Sequence, residues 1–334
     1  MSKPTLILVV GVGRSGTSLF AGICGQLGFH IPQPEVAADD TNPKGFGEPK
    51  WVVDFHTAIM RRKRVTVFDA RPQAWEQTAA AAAEAEVQGR LRDWLQGEVD
   101  HATDVVVVKD PRIGWFLPLW NQAAAAVEVP TAFVTMLRHP AQILTSAKKS
   151  YGTWQTDASR AAAWINVMLE TERATRGTRR AFVPYADLLG DWAAELRRAG
   201  ALLDVPRLAE VERAAHPDVD AFVDPSLFRN RTGWEGLDVP DHVRRLAEEV
   251  WEQLTLLGAA ASDDEAARHS ALDRARARYD ELYAEAEAIS HSSVIAVRPR
   301  KKAGAAKAAP PTLRGRVARR LPAGVRRALR SSRS

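Results

Sequence analysis

The chain has 334 residues, enough for one large domain with a full core or two small ones. Its single cysteine, Cys24, excludes an internal disulfide framework and a cysteine-rich zinc site, and fits a reducing compartment. Net charge is +5, but thirteen of the 46 Lys and Arg residues follow Val297 with no acid among them, so residues 1–297 carry −8 and a nucleic-acid-binding body is not expected.

The run TLILVVG, residues 5–11, is apolar and rich in branched side chains, which predicts a buried parallel strand. Leu19, Phe20, Ile23, Cys24 and Leu27 then recur at helical spacing. Between them lies GVGRSGTS, residues 11–18. A strand, a glycine turn and a helix aim backbone N–H groups at an anion, and the helix dipole adds a modest favourable contribution. Gly13 and Gly16 let the chain bend and approach a ligand closely. Against the nucleotide-loop pattern G-x-x-x-x-G-K-[ST], Gly11, Gly16 and Ser18 match, but Thr17 stands where the lysine belongs. A cation appears three residues earlier, at Arg14. The dinucleotide pattern G-x-G-x-x-G also fails, because no acidic residue ends a second strand about twenty residues on. The expected ligand is a phosphate ester handled by an arginine, without a metal-bound γ-phosphate; the other reading is a tight turn with no ligand.

Further strands are expected at 104–111 (DVVVVKDP), at 131–140 (TAFVTMLRHP) and around Phe182 and Val183 in RAFVPYADLL. Helices are expected within 115–128, over Ala79–Val99, His139–Lys149, Ser159–Arg176 and Asp191–Ala199, and over 241–257 and 263–289. Strands alternating with helices predict an α/β fold: a P-loop-like three-layer sandwich around a central parallel sheet, with a helical C-terminal part. The polar motifs GRSGTS, KDPR, RHP and YADL all fall at the carboxyl ends of strands, where such sheets bind ligands. The domain is expected over 1–290, followed by a linker over 291–312 and a basic tail over 313–334. In the tail, Leu313, Val317, Leu321, Val325 and Leu329 stand four apart among arginines, interrupted by Pro322. That pattern suits an anionic membrane surface; a disordered solubilising tail and a nucleic-acid contact are the other readings. No apolar stretch reaches about eighteen residues, so no membrane-spanning helix is expected, and the N-terminus lacks a signal-peptide pattern. The expected location is cytoplasmic, with peripheral attachment to the inner face of the membrane through the tail.

Over roughly residues 5–235 these motifs resemble the sulfotransferases that use 3′-phosphoadenosine 5′-phosphosulfate (PAPS), and GRSGTS, NPKGFGE and KDPR look most like the bacterial and carbohydrate-type branch. The resemblance implies that Arg14, Ser15, Gly16, Thr17 and Ser18 hold the 5′-phosphosulfate. It implies that Arg138 and Ser146, eight residues apart, grip the 3′-phosphate. Tyr185 corresponds to a tyrosine near adenine, although packing on the core is the alternative. Arg229 and Arg231, in DPSLFRNR, stand for a late basic loop over the 3′-phosphate. The acceptor it implies is a carbohydrate hydroxyl on a glycolipid or polysaccharide.

Sulfuryl transfer in line between two oxygens needs no metal, and catalysis is then mostly positioning plus fixed positive charge at the leaving oxygen. Arg14 and Lys109 are the expected cations. The acceptor hydroxyl needs a base, and the resemblance points to Glu48, whose place in NPKGFGE matches a glutamate of the carbohydrate-type branch, with Asp110 the runner-up unless it anchors Arg112. His30 and His56 are weaker candidates. The acceptor pocket is expected along residues 30–75 and 150–158, with Trp51, Phe55, Trp75, Tyr151 and Trp154 as sugar-stacking or core aromatics. A kinase with a degenerate loop, or a nucleotide-binding membrane adaptor without chemistry, are the rival readings.

Overall fold

A computed structural model describes residues 3–152, 154–224, 233–259 and 264–297. Four strands form one sheet: β1 (Thr5–Val10), β2 (Val105–Lys109), β3 (Thr131–Leu137) and β4 (Arg180–Pro184). Their order is β2-β1-β3-β4 and every pairing is parallel. The register sets Val9 beside Lys109, Val10 beside Thr135, and Leu137 beside Pro184. All four carboxyl ends therefore lie along one edge of the sheet. Since β1 is followed in the chain by β2 on one side and β3 lies on the other, the order switches at β1, and the crevice above that switch is where a doubly wound sheet accepts a ligand.

Side chains alternate between two cores. Leu6, Leu8 and Val10 of β1, with Val106 and Val108 of β2, face one hydrophobic cluster; Ile7 and Val9, with Val105 and Val107, face the other. Strands buried on both faces need unbroken apolar runs, which is why period-two alternation is absent from their sequences. The second face is covered by α1 (Thr17–Gln26) and by later helices described below. The first face carries α2 (Lys50–Lys63), α3 (Ala74–Ala82), α4 (Ala85–His101), α5 (Leu117–Ala126), α6 (Pro140–Tyr151) and α7 (Asp157–Ala174). On the second face, α8 (Tyr185–Gly190), α9 (Trp192–Leu203), α10 (Pro206–Ala209) and α11 (Pro217–Phe222) complete the layer; α12 (Asp241–Gly258) and α13 (Glu265–Val297) belong with the first. The architecture is the expected three-layer α/β sandwich.

Three elements depart from the sequence expectation. The alanine-rich stretch 79–99 is two helices. Glu84 takes an extended backbone between them and forms ion pairs with Arg62 at 2.7 Å and Lys63 at 3.1 Å. Helix α2 has no counterpart in that expectation, although Val52, Phe55, His56, Ile59 and Met60 form a buried stripe at helical spacing. Helix α13 continues through Val297, past Ser290 where the apolar pattern stops; its residues from Glu285 onward are exposed and need no apolar stripe. The described residues Glu285–Val297 belong to a unit separate from that of the residues up to Ala284. The 298–334 segment, with most of the expected linker and the tail, lies outside the described residues. No described helix is long and apolar enough to cross a membrane.

Candidate anion-binding active site

The loop after β1 is built by backbone conformations that few residues adopt. Gly16 caps α1 with φ +101°, and a Cβ there would lie 2.3 Å from Cδ2 of Tyr185, so the site needs glycine for both its conformation and its contact. Arg14 also has positive φ, 74°. These turns leave the first N–H groups of α1 at the cleft, where a helix start lacks intrahelical acceptors.

Arg14 and Arg138 are joined across the loop. Arg14 Nε donates to Ser146 Oγ at 3.0 Å, and Arg138 Nη1 donates to the Arg14 carbonyl at 3.0 Å. The Arg138 guanidinium lies 4.7 Å from the centre of the Tyr185 ring. Arg138 sits at the end of β3 and Ser146 two turns into α6, so the eight-residue interval brings both to the same wall. Lys109 ends β2 on the opposite side. It is 2% exposed, donates to Glu48 Oε1 at 2.6 Å and to Ser18 Oγ at 3.1 Å. Burial pulls its pKa below the usual lysine value against the opposing pull of Glu48. Arg112 Nη1 stands 3.7 Å from Glu48 Oε2 and 2.7 Å from Asp110 Oδ1.

A cleft of about 470 Å³ runs over these groups. Arg14, Gly16, Thr17 and Ser18 line its floor, with Glu48, Lys109, Arg138, Ser146 and Tyr185 on its walls. Ser15 does not line it: the side chain is buried, and its Oγ meets no protein partner among the described residues. Arg229 and Arg231 lie outside the described residues. The volume falls in the range of about 300–1,000 Å³ common for small-molecule sites. The donor set of guanidinium, ammonium, hydroxyl and backbone N–H groups fits an extended ligand with two anionic ends, and Glu48 is a carboxylate set among them.

The other candidates go elsewhere. Asp110 is fully buried and accepts from His56 Nδ1 at 2.7 Å, the Arg112 side chain at 2.7 Å and the Arg112 amide at 3.0 Å, so it anchors and does not face the cleft. His56 is also fully buried, and Trp120 Nε1 donates to its Nε2 at 3.1 Å. His30 pairs with Glu98 at 2.8 Å. Trp51 stacks on Phe55 and Trp94, and Trp75 on Trp115 at 3.8 Å, which commits them to internal packing. Tyr151 lines the cleft and Trp154 is 70% exposed.

Lining residues that the sequence motifs do not single out individually include Lys44, within the expected acceptor stretch, and Lys149, Phe222 and Asp224. Lys44 shares the NPKGFGE motif with Glu48, and Lys149 lies one turn beyond Ser146, so both are within reach of spacing arguments. Phe222 reaches the cleft by packing over Gly22, a contact across most of the chain that no local pattern encodes.

No protein-family model matches the chain, and no curated protein matches it. Among solved structures, the sulfotransferase domain from the Synechococcus PCC 7002 olefin synthase resembles it with a TM-score of 0.42 and 15% identity, over 76% of this chain and 96% of that one. Likeness at that level does not decide an activity.

Proposed function

We propose that the protein transfers a sulfuryl group from PAPS to a hydroxyl acceptor. The observation that carries this reading is the joined Arg14–Ser146 and Arg138–Arg14 pair, at 3.0 Å each, beside a loop whose Walker lysine is replaced by Thr17. It makes two anion positions adjacent, one over the loop and α1, the other at the β3 end, as a nucleotide with a 5′-phosphosulfate and a 3′-phosphate requires. In this reading Arg14, Gly16, Thr17 and Ser18 hold the phosphosulfate, Ser15 acts through the loop backbone, Arg138 and Ser146 hold the 3′-phosphate, and Tyr185 packs at the nucleoside.

The transfer itself breaks the bond between sulfur and the bridging oxygen and forms one between sulfur and the acceptor oxygen. Glu48 takes the acceptor proton. Lys109 and Arg14 stabilise the charge that develops on the leaving adenosine 3′,5′-bisphosphate; fixed donors of this kind contribute about 10²–10³ in rate each. We assign the acceptor to carbohydrate, on a glycolipid or polysaccharide. Its support is the aromatic ring of Tyr151, which lines the cleft, and the exposed ring of Trp154 three residues on, flat apolar faces of the kind that pack on sugar rings. The basic tail would bring the enzyme to an anionic membrane surface bearing such an acceptor.

Calorimetric titration with adenosine 3′,5′-bisphosphate, with and without Mg²⁺, tests this on wild type and Arg138→Ala. Metal-independent binding is expected, weakened about 10- to 100-fold in Arg138→Ala, the size of a lost charge-assisted contact. Binding of ATP that required Mg²⁺, with none of the bisphosphate, would favour the kinase reading instead.

A further inference from the structure

Tyr151 is the last residue of α6. Its ring is tilted against Phe68 with centroids 6.3 Å apart, and its hydroxyl lies 3.9 Å from where a Cβ on Gly13 would stand. The phenol therefore hangs over the first turn of the anion loop. Three charged groups act on it: Arg14 beside the hydroxyl, Glu48 and Arg112. A guanidinium has donors and no acceptor, so toward Arg14 the phenol oxygen is the accepting partner. The one O–H hydrogen must then be directed to a different acceptor. Glu48 already accepts from Lys109 at 2.6 Å and faces Arg112 at 3.7 Å. The residue is 46% exposed, and its partial burial raises the phenol pKa, which keeps the proton in place at neutral pH.

Resting on the sulfotransferase reading, we infer that the Tyr151 hydroxyl donates a hydrogen bond to an oxygen of the transferred sulfuryl group and is a further catalytic residue of this site. The sulfuryl oxygens are the anionic acceptors that the reading places over the loop, between Arg14 and the Glu48–Lys109 pair. Tyr151 keeps its proton throughout; the acceptor's proton goes to Glu48. The phenol fixes the orientation of the group in flight, which Arg14 and Lys109 alone, approaching from the loop and from β2, would leave free to rotate.

Two ligands that differ by the sulfuryl group separate this role from mere support of the loop. Binding of PAPS and of adenosine 3′,5′-bisphosphate is measured by calorimetry on the full chain, wild type and Tyr151→Phe, which keeps the ring and its packing on Phe68. The expected result is a loss of about tenfold or more in PAPS affinity, with bisphosphate affinity held within about twofold. Retained bisphosphate binding also shows that the variant is folded. Equal loss for both ligands, or no loss for either, would overturn the inference while leaving the donor site standing. A wild-type chain that bound neither ligand would overturn the donor-site reading, and the role of Tyr151 with it.

Discussion

His56 and Asp110 are both fully buried directly behind the cleft, and their protonation states follow from their partners. Trp120 Nε1 can only donate, so His56 Nε2 accepts, and the ring proton sits on Nδ1, which donates to Asp110. Burial pushes the His56 pKa below 6.5 despite the carboxylate beside it. For Asp110, burial alone would raise the pKa, but the His56 hydrogen bond and the Arg112 guanidinium outweigh it and hold the carboxyl at about 2. The sign of the His56 effect is set by linkage. Below about pH 6.5 the unfolded imidazole takes up a proton that the folded ring refuses, so its stability contribution is complete above that pH and is lost as pH falls. His56→Asn keeps an N–H for Asp110 and removes the titrating ring. It is expected to be less stable than wild type by about 1–3 kcal/mol near pH 7, with the gap narrowing near pH 5. Urea midpoints of both proteins at the two pH values test this, and a pH-independent gap would mean that His56 is not held neutral. At this scale the sequence is informative where residues sit in one motif: Arg14, Ser18 and Glu48 are legible from GRSGTS and NPKGFGE. It also offers Asp110 as an anchor of Arg112 within KDPR, as the two Arg112 bonds show, but not the bond to His56, which comes from a helix 54 residues earlier.

Most helices that present an apolar stripe are legible, α2 excepted, and legibility falls where tertiary contacts override local preference. The run 79–99 reads as one helix because it holds no proline and no glycine near its break; the extended Glu84, held by Arg62 and Lys63 of α2, ends α3 there and lets α4 turn Val87, Leu91, Leu95 and Val99 onto the core. Two helical glycines show the same divide between propensity and packing. At Gly97 in α4 an added methyl would meet nothing within 4 Å, whereas at Gly200 in α9 a Cβ would fall 2.3 Å from the Ala209 amide nitrogen and 2.6 Å from the Leu208 carbonyl carbon. Those are backbone atoms of α10 and cannot rotate away. Gly97→Ala is therefore expected to stabilise by about 0.5–1 kcal/mol, the entropic gain of alanine over glycine in a helix. Gly200→Ala is expected to destabilise by about 1–3 kcal/mol or more through overpacking of α9 against α10. Urea unfolding of the two variants checks the opposite signs; a stabilised Gly200→Ala would show that the close approach of α10 is not maintained.

Across the whole molecule, the alternation of strands and helices makes the layered fold legible, while the order β2-β1-β3-β4 is not, since strand partners are chosen by contacts between segments up to 125 residues apart. Charge is also divided at this scale. Residues 1–297 carry −8, and the segment beyond them carries thirteen cations and no acid. Every described residue that lines the cleft lies between Gly13 and Asp224, and the proposed anion contacts all come from that stretch. Two properties should then separate cleanly in a chain ended after Val297. Affinity for adenosine 3′,5′-bisphosphate should stay within about threefold of the full chain, because local donors set it and distant charge is screened beyond about 8 Å at physiological salt. Attachment to vesicles rich in phosphatidylserine should be lost. In the full chain each basic residue near such a surface contributes about 1 kcal/mol, while the shortened chain, at −8, is repelled by it. Vesicle sedimentation of both proteins at low and at physiological salt makes the measurement. Binding by the full chain that weakens with salt and disappears on truncation is the expected outcome. Equal sedimentation of the two chains would show that the tail is not the membrane contact and would move the search for the acceptor away from lipid-linked carbohydrate.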